Sequence, residues 1–359
     1  MIRTAIPFLI FTALASAAGQ TVTIAGTGSP GFAGDGGRGD QAQLNNPYGL
    51  VIGPGGALYI CDIDNHAIRR LDMKTHKLTT VAGTLGKKGY AGDGGAATKA
   101  ELNQPYEIRF DRAGNMFFVE MPNHVVRRVD RKTGRISTVA GNGQAGFGGD
   151  GGPAVKAQMR QPHSIAFDPQ GRLMICDIGN HRVRRVDLKT GIMETWLGTG
   201  EKTATPDGAP LQGTAVNEPR ALDLDPRGNL YLALRGGNAV YQVDVAAGKF
   251  KHLAGTGEKG YDGDGGDARK AKLSGPKGIA WSPDGGVYIA DTESHTIRRI
   301  DLKSGLISTV IGTGVRGNGP DGDSLHCLTS RPHGIFVDRQ GVIYVGDSEA
   351  HRVRMLKPR

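Results

Sequence analysis

An all-β chain folded as a six-bladed β-propeller is what this sequence predicts, and three observations carry the prediction. A proline recurs at Pro47, Pro105, Pro162, Pro219, Pro276 and Pro332, roughly 57 residues apart, a period typical of propellers and solenoids. A second marker follows each proline in the same register, at His66, His124, His181, Asn238, His295 and His351. Residues 21–26, near the start, match the ends of later repeats at residues 137–141 and 308–312, so the chain closes on itself.

The first element is a processing segment. Arg3 gives a positive start, residues 6–15 form an apolar run, and residues 15–18 are small. That pattern is a cleavable signal peptide over residues 1–18, with the propeller over 19–359 and a secreted or periplasmic destination. The run is too short to span a bilayer, and no other stretch is long enough. Cys61, Cys176 and Cys327 are too few for a disulfide scaffold. Cys61 and Cys176 fill equivalent places in separate repeats, where they cannot meet, and read as small buried hydrophobes. The 57 glycines have no triplet period and cluster at the same points of each repeat, which marks tight turns.

Within one repeat, residues 162–168, 173–177, 183–187 and 193–197 read as four short strands bounded by Gly, Pro, Asn and Asp. Four antiparallel strands make one propeller blade. Their apolar runs are continuous, as expected for sheets buried on both faces between neighbouring blades. The final repeat stops near Lys357 after its third strand, so the N-terminal strand supplies the fourth. Such closure removes exposed sheet edges.

The segments Asp62-Ile-Asp-Asn-His-Ala-Ile-Arg-Arg70, Asp177-Ile-Gly-Asn-His-Arg-Val-Arg-Arg185 and Asp291-Thr-Glu-Ser-His-Thr-Ile-Arg-Arg299 resemble NHL repeats. The resemblance covers residues 21–357 and implies the fold. It leaves the function open, because NHL propellers serve as scaffolds, nucleic-acid binders, receptors and a few lyases or hydrolases.

Features copied in most blades read as architecture. The Asp and His of these segments are expected to brace the turn between second and third strands. The Arg pairs, such as Arg69-Arg70, alternate across a strand and have Asp72, Asp130, Asp187 and Asp301 nearby for charge pairing. The Gly-Asp-Gly segments at Gly34, Gly92, Gly149 and Gly263 lack a P-loop Lys and EF-hand spacing; glycine turns with Asp starting a short helix are expected there.

Positions the repeat does not dictate are the informative ones. The residue after each opening proline is Tyr48, Tyr106, His163, Arg220, Lys277 or His333, and all six are expected to ring the channel mouth. The Pro-His pairs at Pro162-His163 and Pro332-His333 are similar to those of the peptidyl-hydroxyglycine amidating lyases, whose family uses three such histidines to bind zinc. Here the two histidines fall on opposite blades, three and six, and the alternate blades carry Tyr, Lys or Arg instead. A cation beside zinc offers no lone pair. Gluconolactonase-like propellers bind a divalent metal through acidic and amide groups near the same place, and only Asn217 and Glu218 match that arrangement.

The formal net charge of +9 favours anionic partners. The expected export argues against nucleic acid and for an anionic glycan, peptide or surface ligand. The reading is therefore a secreted, monomeric binding propeller. Tyr48, Tyr106, His163, Arg220, Lys277 and His333 would be its ligand-binding residues, with no assigned metal ligand and no cofactor. The alternative is a lyase or hydrolase in the central channel, with His163 or His333 as general base or a divalent metal in the channel.

Overall fold

The computed structural model describes residues 19–357, and the expected signal peptide lies outside the described residues. Six antiparallel sheets stand around a central channel; five run in chain order from the inner strand outward, and the sixth takes up the N-terminal strand towards its outer edge. The inner strands are Pro47–Ile52, Pro105–Phe110, Pro162–Phe167, Pro219–Leu224, Pro276–Trp281 and Gly334–Val337. Five of them start at the repeating proline, since the first residue of a strand needs no ladder N–H. In the first blade the sheet continues through Leu58–Asp62, Ala67–Leu71 and Leu78–Ala82.

Ring closure follows the sequence pattern and adds one feature to it. Gln20–Ala25 pairs antiparallel with Arg352–Leu356, completing the sixth blade. A further two-residue strand, Gly322–Asp323, pairs outside it. Asp321 fastens the seam by accepting from the Thr23 N–H at 2.7 Å and the Thr23 hydroxyl at 2.9 Å.

The core lies between blades rather than inside them. Met174 and Cys176 of the third blade pack with Leu222, Leu230 and Leu232 of the fourth, all essentially excluded from water. Each such side chain contributes roughly 1.5–3 kcal/mol of apolar burial. All three cysteines are free and buried. Near the channel the inner strands approach so closely that a Cβ on Gly334 would overlap the Tyr48 carbonyl, which requires glycine there.

Two expectations about the repeated polar residues are corrected. First, the connection aspartates do not start helices. Among the short 3₁₀ turns, only Asp267 caps with its side chain, whereas Asp35, Asp93, Asp150 and Asp264 bind the first arginine of each pair. Those arginines, Arg69, Arg127, Arg184 and Arg298, are fully buried and reach inward to Asp62, Glu120, Asp177 and Asp291. The second arginines stay at the surface, as Arg128 does with Asp130 at 2.7 Å.

Second, the histidines brace the neighbouring blade, not their own turn. Each sits in the left-handed region, with φ 54° at His66, and its Nδ1 accepts a backbone N–H of the next blade. Gln104 donates to His66 at 3.2 Å, Gln161 to His124 at 3.1 Å and Glu218 to His181 at 3.1 Å. Arg331 donates to His295 and Asn46 to His351. The fourth blade substitutes as a set, with Leu234, Asn238 and Tyr241 replacing Asp, His and Arg. There the Asn238 Oδ1 accepts from Gly275 at 2.9 Å. Losing both members of the buried ion pair together leaves no unpaired buried charge.

Candidate functional site

The residue before each opening proline also adopts a left-handed backbone: Asn46, Gln104, Gln161, Glu218, Gly275 and Arg331 have φ between 48° and 60°. These are the residues whose N–H groups are held by the histidine bonds, or by Asn238 in the fourth blade. The preceding blade therefore fixes where each inner strand begins, and with it the side chain one residue beyond the proline.

Those six side chains meet at the channel mouth. Tyr48 stacks on His333 with ring centroids 3.9 Å apart and planes at 12°. Tyr106 meets Tyr48 edge-on at 4.7 Å and His163 at 4.5 Å. The Arg220 guanidinium lies 4.7 Å from the Tyr106 ring centre and donates through Nη2 to the Tyr106 hydroxyl. Lys277 Nζ lies 2.7 Å from Glu293 Oε1 and 3.3 Å from His333 Nε2. Five of the six are at most 9% exposed, with Tyr48 half-buried. They form the packed floor of a cavity of about 400 Å³, walled by Gln161, Lys202, Glu218, Arg235 and Arg331.

Both histidines have a defined tautomer. His163 Nδ1 is 2.6 Å from the Gln161 carbonyl, and His333 Nδ1 is 2.8 Å from the Arg331 carbonyl. A carbonyl only accepts, so each Nδ1 carries the proton and each Nε2 presents a lone pair. His333 turns its lone pair to Lys277, whereas His163 lines the cavity and its Nε2 has no hydrogen-bond partner among the described residues. Burial holds the His163 imidazole neutral, lowering its pKa to about 3, and lowers that of His333 well below the usual range. Such nitrogens accept hydrogen bonds but take up protons poorly, which weakens the general-base role expected of either histidine.

The charges at the mouth are unequally matched. Glu293 is claimed twice, by Lys277 and by Arg331 at 2.6 Å. Burial would raise its carboxyl, but these donors hold it down at about 2. Glu218 is taken by Arg235 at 3.0 Å. Among the described residues, no carboxylate forms an ion pair with Arg220, and its buried Nε has no hydrogen-bond partner. Burial lowers the Arg220 pKa to about 9. Burial likewise lowers Lys277 to about 8, with Glu293 opposing the effect and Arg220 adding to it.

A deeper layer was not singled out from the sequence. Glu107 and Arg109 pair with each other inside the channel. Across from that strand, the Asp223 carboxylate accepts from the Trp281 N–H at 2.8 Å. Burial raises both acids, with Arg109 opposing. Their signal was present: they are the only charged residues at the second and fourth places after the proline, which are otherwise small or apolar.

A divalent metal does not fit this donor set. Among the described residues, no three His, Cys, Asp or Glu side chains come together to hold an ion. At the mouth the two imidazoles share their surroundings with Arg220 and Lys277. Glu218 is engaged by Arg235, and Asn217 lies outside the cavity lining.

The family model described as "SMP-30/Gluconolactonase/LRE-like region" matches residues 107–359. The chain belongs to this family. Among relatives of the SMP-30/gluconolactonase/LRE-like chain is NHL repeat-containing protein 2 of Gallus gallus, 25% identical over 92% of this chain and 41% of that protein. The chain spans less than half the length of the curated relatives it matches first. An auxiliary nutrient binding protein from Bacteroides thetaiotaomicron aligns with TM-score 0.68 at 19% identity, covering 94% of this chain and 75% of that one. Virginiamycin B lyase from Staphylococcus aureus aligns with TM-score 0.52 at 16% identity, covering 88% and 97%. At these identities the structural likeness establishes the propeller fold. No helix among the described residues is long and apolar enough to cross a membrane.

Proposed function

We propose that this propeller binds a small organic anion at the channel mouth, with Arg220 as the principal charge partner. One observation carries the reading: Arg220 is 7% exposed, forms no ion pair with a carboxylate among the described residues and keeps an unsatisfied Nε. A buried charge left unpaired is costly, and a ligand carboxylate would relieve that cost while gaining two parallel N–H···O bonds. Lys277, expected from the sequence among the ligand-binding residues, is already paired with Glu293. The open Nε2 lone pair of His163 would accept from the ligand, and Tyr48 and Tyr106 would supply the aromatic floor. The cavity of about 400 Å³ suits a small molecule.

Residues 1–18 are proposed as an export segment, placing the protein in the periplasm or outside the cell. The nutrient-binding neighbour is consistent with a binding role there. Binding is favoured over catalysis because the two imidazoles are too weakly basic to act near neutral pH.

Calorimetric titration with acetate, propanoate and inorganic phosphate tests the reading. Wild type is expected to bind at least one of these anions. Arg220→Met is expected to bind it about 10–100-fold more weakly, since a charge-assisted hydrogen bond contributes roughly 1.5–3 kcal/mol. Equal affinity in the two proteins would refute the assignment.

A further inference from the structure

The mouth holds a second group that anion binding alone does not use. Lys277 is 8% exposed, and its Nζ reaches the same cavity as Arg220. Two acceptors fix that nitrogen: Glu293 Oε1 at 2.7 Å and the His333 Nε2 lone pair at 3.3 Å. His333 is itself held by its Nδ1–H bond to the Arg331 carbonyl and by stacking on Tyr48. The lysine end is thereby aimed, unlike a surface lysine, whose end samples many rotamers.

We infer that Lys277 is an amine nucleophile toward a carbonyl carbon of the bound anion, so that the mouth takes an oxo acid, with the carboxylate on Arg220 and the carbonyl against Nζ. The inference rests on the anion-binding reading above. In the step, the Lys277 ammonium releases one proton to solvent and its nitrogen lone pair adds to the carbonyl carbon. The resulting carbinolamine takes a proton from solvent at its oxygen and loses water. The product is a protonated imine and one water, with no net oxidation and the single positive charge retained.

The surroundings support this chemistry. Burial and the neighbouring Arg220 make the ammonium easier to deprotonate, with a pKa of about 8 against the opposing pull of Glu293. At pH 8 the neutral fraction is then about a hundredfold larger than for an exposed lysine. His333 is too weak a base to take the proton and serves to position Nζ. Arg331 and Arg235 border the cavity, and each is occupied with a glutamate.

The test is reductive trapping with pyruvate and sodium cyanoborohydride, read by peptide mass spectrometry, beside calorimetric titration of pyruvate and propanoate. A reduced pyruvate adduct is expected on Lys277, forming faster as pH rises through about 8. It should form at least tenfold more slowly in Arg220→Met and be absent in Lys277→Arg, a variant that keeps the charge opposite Glu293. Pyruvate binding at the mouth without an adduct on Lys277 would overturn the inference while leaving the anion site standing. Adducts confined to surface lysines, or equal on Lys277 in wild type and Arg220→Met, would overturn it as well. If neither acid binds, both readings fall together.

Discussion

Replacing Arg220 by methionine should make the protein more stable, and the size of the gain follows from how the guanidinium is held. Burial draws its pKa down to about 9 from an ordinary value above 12. Each tenfold loss of proton affinity corresponds to 1.36 kcal/mol, so roughly 4–5 kcal/mol stands against the buried charge. Contact with the Tyr106 ring and the bond to its hydroxyl return roughly 1–2 kcal/mol. Methionine fills most of the stem volume without a charge and loses those contacts. The balance is a gain of about 2–4 kcal/mol, read as a higher urea midpoint at unchanged slope by Trp196 and Trp281 fluorescence. A neutral or destabilising outcome would mean that the charge is satisfied in the free protein. Arg220 would then have no need of a ligand carboxylate at that spot.

Three further outcomes follow from the blade network. Arg184→Met should cost about 3–5 kcal/mol, because it strands the buried Asp177 carboxylate. The pair Asp177→Leu with Arg184→Tyr, copying the fourth blade, should recover most of that loss in the same urea titration. The histidines between blades should make stability depend on pH. Burial lowers the pKa of His66, His124, His181, His295 and His351, so the unfolded chain binds protons first on acidification. Their contribution is complete above the unfolded value near 6.5 and is lost as pH falls through the lower folded values. His124→Asn, which keeps the acceptor as Asn238 does, should flatten the fall in urea midpoint between pH 7 and 5; an unchanged slope would contradict the clasp role. Finally, Gly334→Ala should destabilise by several kcal/mol and weaken anion binding, since its Cβ would drive Tyr48 away from His333. Near-UV circular dichroism and the calorimetric titration check both parts.

The propeller was legible because each blade writes the same demands into the chain. The opening proline, the left-handed histidine and the closing strand over residues 21–26 each recur in register, and the sheets form where that register places them. The partners of the copied polar residues were not legible. Asp93 meets Arg127 across 34 positions of chain, and His66 meets Gln104 of the next blade. Sequence spacing inside one repeat cannot express either contact. At the mouth, identity and place could be read from the sequence, but charge balance could not. Lys277 and Arg220 look alike in sequence, and only packing reveals that Glu293 pairs with one while no carboxylate among the described residues pairs with the other. Glu107, Arg109 and Asp223 were less legible because they lie beyond the ring of six, at places that are small or apolar in the other blades.

The most direct measurement is anomalous diffraction from crystals soaked in sodium bromide, since bromide reports anion affinity without shape or chemistry of its own. A bromide peak against Arg220, between Tyr106 and His163, is the predicted result, and it should vanish in Arg220→Met crystals. Bromide found only on exposed lysines such as Lys74 and Lys132, with none at the mouth, would contradict the anion site.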